Sequence, residues 1–176
     1  VADSYRKLRN TARFLLGNLQ HHQEENNISY EELPDLEKYM LSRVFSVNKK
    51  IRDAYNSFSF QNVVQIYFQF CTQDLSSFYF DIRKDVLYCE SSESIKSKAT
   101  QTLLDLLFYR LTTWFAPIMP FTMEEVFLER SPNEESSIHL LDMPESAKKW
   151  QNSEEEENWF QIRQVRKVVT GGIEVL

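Results

Sequence analysis

The sequence predicts an all-α fold, and three observations carry that prediction. Only three glycines occur in 176 residues, too few for the turn-rich connections of an all-β chain. Apolar residues recur at spacings of three and four over long stretches, which is the helical period. The stretches between these patterns are short, so the helices are expected to pack as antiparallel neighbours in an up-down bundle. A chain of this length supports one core, with at most a small appendage.

The elements follow in order. A first helix is expected from about Asp3 to His22, with Asp3 or Ser4 as N-cap. Tyr5, Leu8, Ala12, Leu15, Leu16 and Leu19 gather on one of its faces. The polar stretch "HHQEENNIS" ends it. A second helix follows Pro34, capped by Asp35, and runs to about Asn56 on Leu36, Met40, Val44, Val47, Ile51 and Ala54. A third starts after "NSFS" with Ser59 as cap. Its stripe is Phe60, Val63, Val64, Tyr67, Cys71, Leu75, Phe78 and Ile82. The β-branched and aromatic content there also suits a strand, but a run of over about 20 residues without a turn signal decides for helix. "LYCESSES" separates it from a fourth helix, about Glu93 to Phe115, with Ile95, Ala99, Leu103, Leu106, Leu107 and Arg110 in period. Pro117 and Pro120 stop that helix.

Beyond this point the texture changes. "PFTMEEVF" reads as a short helix with Thr122 and Glu125 in capping-box spacing. "SPNEESSIHLLDMPES" is loop-like, with "IHLLDM" extended. "SEEEENWFQIRQVRKVV" is a further helix, acids first and Arg163, Arg166 and Lys167 later, as the helix dipole favours. A bundle is therefore expected over residues 1–130. A smaller appendage of loop, short extended segment and C-terminal helix is expected over 131–176. The missing initiator Met and the abrupt "GGIEVL" ending read as a piece cut from a longer chain.

Several function classes are disfavoured. No apolar run approaches the roughly 18 residues of a membrane span, and charges interrupt any signal-peptide pattern. Cys71 and Cys89 form no Cys-x-x-Cys pair, which argues against zinc and for a reducing, cytoplasmic setting. His21, His22 and His139 lack clustered partners. No phosphate-cradling glycine loop and no nucleophile elbow is present. Asp81 and Asp85, with Arg83 and Lys84 between them, read as a surface salt-bridge lattice rather than an acid–base pair. No catalytic residue, cofactor or metal is expected within these residues, and a monomer is expected.

One segment departs from the acidic background. Residues 1–20 carry four cations against Asp3, summing to +3 in a chain of net charge -6. On a wheel of about 100° per residue with Arg6 at zero, Arg9 falls near −60°, Arg13 near −20°, Gly17 near 20° and Asn10 near 40°. The apolar stripe lies roughly opposite. Arg6, Arg9, Asn10 and Arg13 thus form one row. Guanidinium groups grip phosphate in a fork and stack on bases, and an Asn amide both donates and accepts at a base edge. Glycine on that face costs about 1 kcal/mol of helix propensity, and leaves room for a second backbone. The alternative is a solvated face, tied to the protein's own acids by ion pairs. Trp150 and Trp159, flanking the acidic run, are either anchors for the appendage or stacking platforms for bases.

Three strings resemble a known family. "YRKLRNTARFLLGNL" resembles the first helix of the anticodon-binding domain of isoleucyl-tRNA synthetases. "FCTQDLSSFYFDIRKDVLYC" resembles that family's third helix and the turn after it. "LTTWFAPIMPFTMEEVF" resembles the end of the bundle in the class I synthetases for branched aliphatic amino acids. In family order, they span about residues 3 to 130. The resemblance implies an α-helical bundle of the class I anticodon-binding type that grips the anticodon stem-loop of isoleucine tRNA. It also implies a parent that joins isoleucine to that tRNA with ATP and magnesium, and remaining domains of that parent as neighbours. The family's adenylation motifs, His-x-Gly-His and Lys-Met-Ser-Lys-Ser, are absent from these residues. The residues carried over as RNA-binding are Arg6, Arg9, Asn10 and Arg13, while Arg83 and Lys84 are read as structural or rim contacts. A helical protein-interaction module with a basic docking face, or the valyl or leucyl relative, stands as the alternative.

Overall fold

The computed structural model describes residues 2–132 and 136–173. Among them are seven α-helices: α1 (Ala2–Leu19), α2 (Asp35–Asn56), α3 (Phe60–Gln69), α4 (Phe80–Cys89), α5 (Ile95–Phe115), α6 (Pro120–Arg130) and α7 (Ser153–Ile173). A π-helical stretch, Phe70–Tyr79, joins α3 to α4 without a break. No strand occurs among the described residues, and the fold is all-α as the sequence predicts.

The bundle is built around α5. Ser94 caps it, its hydroxyl accepting the Ser97 N–H at 3.1 Å. Leu103, Leu104, Leu107, Phe108, Leu111, Trp114 and Phe115 are all buried, so its C-terminal half is covered on every side, as a central helix must be. The one-sided stripe expected there is too narrow at this end. At the other end Ile95 is exposed, because the first turn projects beyond the core. α1, α2, α4 and α6 all pack on α5.

Helix ends correct several expectations. α1 starts at Ala2, placing Asp3 and Ser4 inside its first turn, and stops at Leu19. His22 lies beyond it, with its ring held by Gln101 (3.3 Å) and Asn27 (2.9 Å). Tyr5 is 42% exposed, since burial begins only at Leu8. α2 begins at Asp35 itself, with the extended Pro34 as its N-cap. α6 begins at Pro120 rather than behind a Thr122 cap, because the fixed φ of proline suits the first helical position. In "IHLLDM", Ile138–Leu140 forms a 3-10 turn, and Leu141 after it is extended. Part of that loop, residues 133–135, lies outside the described residues.

α2 turns back along α3 through residues 57–59. Phe58 takes a left-handed φ of 53° there, an uncommon state for an aromatic residue. A buried triad fixes the next connection. Arg83 Nε and Nη2 donate to the two Glu37 carboxylate oxygens, both at 2.7 Å, and the Tyr79 hydroxyl donates to Glu37 at 2.9 Å. Glu37 is 0% exposed. Burial pushes the Tyr79 hydroxyl well above the usual tyrosine range, with Glu37 adding to it. For Arg83, burial pulls the guanidinium down, but the Glu37 pairing outweighs it and the net shift is upward.

α7 lies on the outside, against α2. Trp159 stacks on Tyr39 with centroids 5.3 Å apart and meets Phe78 edge-on. Arg163 pairs with Asp74 and Arg166 with Asp81. Trp150 is only 9% exposed, its ring under the Arg110 guanidinium at 4.8 Å. Both tryptophans therefore anchor the C-terminal segment and neither is a free stacking platform.

Candidate nucleic-acid interface

The inner face of α1 packs through Leu8, Leu15 and Leu19. That packing fixes the rotation of the helix, and its other face must look out. Arg6, Arg9, Asn10 and Arg13 are all exposed, as the wheel requires.

The sequence alone leaves open whether this row is satisfied by the protein's own acids, and the arginines differ sharply on that point. Arg43, Arg83, Arg130, Arg163 and Arg166 each pair with a carboxylate. Arg52 donates to the Met143 carbonyl at 2.6 Å, and Arg110 to the Glu145 carbonyl at 3.0 Å. Every arginine outside α1 thus has a protein acceptor. Among the described residues, Arg6, Arg9 and Arg13 have none, and the Asn10 amide makes no hydrogen bond. The only α1 cation in an ion pair among the described residues is Lys7, with Asp3 at 3.2 Å, and Lys7 lies off the row. Unpaired guanidinium groups on a rigid helix are suited to an anion from outside.

Gly17 continues the row. A methyl group placed there would meet nothing within 4 Å, so no neighbour within this chain requires the glycine. Beside it a groove of about 630 Å3 runs between α1 and α6. Arg9, Arg13 and Gly17 line one wall, and Glu125 and Glu129 the other. Sequence reasoning misses the second wall. Its glutamates lie more than 100 residues from α1, and "TMEEVF" carries no local signal of what it faces.

The other candidates resolve as structure. A larger groove, about 1120 Å3, lies beneath α7, but its arginines are already engaged by Asp74 and Asp81. Asp81 belongs to the expected lattice, pairing with both Lys84 and Arg166; the Lys84 hydrogen bond first, and Arg166 with it, holds the carboxyl below the usual range. Arg83 is a buried structural residue. Cys71 is buried, and burial pushes its thiol far above the range of a reactive cysteine. Among the described residues no group of three or more His, Cys, Asp or Glu is placed to hold a metal, and no helix is long and apolar enough to cross a membrane.

An all-α bundle with an Arg/Asn helix face unpaired among the described residues defines a class: a helical module with a local cationic patch on an acidic whole. Comparison places the chain more narrowly. Residues 37–171 match the family described as the anticodon-binding domain of tRNA ligase, and the chain belongs to that family. It is 52% identical over 176 residues to an isoleucine–tRNA ligase of Ruegeria pomeroyi, 47% over 173 residues to one of Agrobacterium fabrum, and 44% over 176 residues to one of Caulobacter vibrioides. These alignments cover 98–99% of the chain but only 18% of each relative. The chain thus spans about a fifth of the length of the curated relatives it matches. The family match begins within α2, so α1 rests on its own geometry and on the full-length similarity.

Proposed function

We propose that this chain binds the anticodon stem-loop of isoleucine tRNA as part of an isoleucine–tRNA ligase. Within that ligase it supports ATP- and magnesium-dependent attachment of isoleucine. The single observation that carries the reading is the contrast among the arginines: among the described residues, three on one exposed helix face lack any protein acceptor, while all others have one. Arg6, Arg9 and Arg13 hold phosphates, and Asn10 meets a base or sugar edge. Residues 1–130 supply the binding surface, and 131–176 brace the bundle through Trp150, Trp159 and Arg163.

The chemistry of aminoacyl transfer belongs to other domains of the parent. Binding at the anticodon contributes recognition and orients the distant acceptor end of the tRNA. The net charge of the chain repels RNA at long range, so these residues alone bind tRNA weakly, and the parent's other contacts complete the affinity. The test is a panel of tRNAs offered to the full-length parent. Isoleucine tRNA should bind more tightly than the same tRNA carrying a swapped anticodon. Equal affinity for both would remove anticodon recognition, and a valine or leucine tRNA binding best would reassign the parent.

A further inference from the structure

The groove between α1 and α6 has walls of opposite charge that do not meet. Arg9 and Arg13 line the α1 side and Glu125 and Glu129 the α6 side. All four are exposed, and none forms an ion pair or side-chain hydrogen bond among the described residues. Arg130 also lines the groove. Its Nη2 pairs with Asp105, yet its Nη1 is buried without a protein acceptor. An occupant of this groove has to present an anion and acceptors to one side and hydrogen-bond donors to the other. A bare run of phosphates does not qualify, because the glutamates repel it.

A single unstacked nucleotide has this polarity. Its phosphate is the anion, and the Watson–Crick edge of guanine, adenine or cytosine carries an exocyclic amine. Guanine adds a ring N–H beside its amine, giving a carboxylate two parallel donors. Uracil offers one ring N–H between two carbonyl oxygens, and a carboxylate repels both oxygens. The space suits one such residue, since small-ligand sites run from about 300 to 1,000 Å3. Gly17, with no side chain, lets the sugar–phosphate backbone pass close to α1.

We infer that the α1–α6 groove holds one splayed loop nucleotide of the bound RNA, with its phosphate on Arg9 and Arg13 and its amine-bearing base edge on Glu125 and Glu129. This rests on the RNA-binding reading above and adds a base-selective wall to it. Phosphate contacts set register but carry no sequence information, whereas a carboxylate at a base edge does.

The experiment uses the full-length parent ligase and the anticodon stem-loop of isoleucine tRNA, with each loop nucleotide replaced by uridine in turn. At one position, uridine should weaken binding to the unmodified enzyme by roughly tenfold or more, as expected for a base-edge pair. Glu125→Ala and Glu129→Ala, together, should bring that ratio close to one and leave the other positions unchanged. Both side chains are exposed and unpaired, so the melting temperature should hold. Two results overturn the inference: discrimination that survives in the double variant, or a uniform rise in affinity for every loop, which makes the glutamates a repulsive rim. Arg9→Glu, run in parallel, keeps the two readings apart. If it weakens every loop while the glutamate variants change nothing, the groove assignment alone falls. If it changes nothing either, the RNA-binding reading falls as well.

Discussion

Replacing Arg83 by Met should be among the most damaging single changes in this chain. Arg83 clasps both oxygens of a carboxylate that is 0% exposed, at 2.7 Å each. Its removal leaves Glu37 with only the Tyr79 hydroxyl, 2.9 Å away, to hold its charge. Breaking a buried pair from one side costs about 3–5 kcal/mol, because the remaining ion stays desolvated. At about 2–4 °C per kcal/mol for a domain of this size, the melting temperature should fall by about 6–20 °C. The pair replaced on both sides, Glu37→Met with Arg83→Met, should recover at least half of that loss, since no unpaired charge then remains in the core. Thermal and urea denaturation of the four proteins in the cycle supplies the coupling energy. A loss under about 1 kcal/mol for Arg83→Met, or a double variant no better than the single, would show that water reaches Glu37 and refute the closed triad.

Two further outcomes follow from the same physics. Burial raises the Tyr55 hydroxyl to about 12, and it also raises Tyr67, Tyr79 and Cys71. These groups keep their protons in the folded state after the unfolded chain has lost them, so their contribution is intact below the unfolded values and declines as pH rises through the folded ones. Denaturant titrations should therefore show stability falling from about pH 9 upward; flat stability to about pH 12, with normal tyrosinate titration, would contradict this. Gly17→Ala should stabilise the bundle by about 1 kcal/mol, because the added methyl meets nothing within 4 Å. The same change should weaken tRNA binding by the parent, since the methyl occupies the path assigned to an RNA backbone. A more stable variant with unchanged tRNA affinity would restrict Gly17 to a neutral position.

How far the sequence can be read depends on how regular each helix is. α1 is a regular amphipathic helix, and the wheel puts Arg6, Arg9, Asn10 and Arg13 on the exposed face that the structure gives them. The third long pattern is where the wheel fails. Phe60 and Val64 fall on its expected stripe and are exposed, whereas Phe70, Asp74, Tyr79, Phe80 and Arg83 are buried. For the residues within and after it the π-helical stretch is the reason; Phe60 and Val64 precede it, in the first two turns of α3. A helix that bonds i to i−5, as the Phe80 N–H does to the Leu75 carbonyl, has a wider turn than α and rotates the buried face away from an α period. The signal is present in the even four-residue spacing of Tyr67, Cys71, Leu75, Tyr79 and Arg83. Glu37 looks like a surface acid because nothing within its own helix shows that Arg83 and Tyr79 close over it. The glutamate wall of the groove is illegible for a similar reason: it is a product of α6 docking beside α1.

RNA binding by this domain rests on the α1 row. The most direct measurement is the affinity of the full-length parent ligase for isoleucine tRNA, as a function of salt, with Arg9→Glu and Arg13→Glu beside the unmodified enzyme. Both side chains are exposed and unpaired, so the melting temperature should not move. Affinity should fall by at least about tenfold for each variant, and the log–log salt slope should become shallower by roughly 0.7–0.9 for each phosphate that the variant no longer neutralises. Unchanged affinity and an unchanged slope in both variants would contradict the assignment of this helix face to RNA.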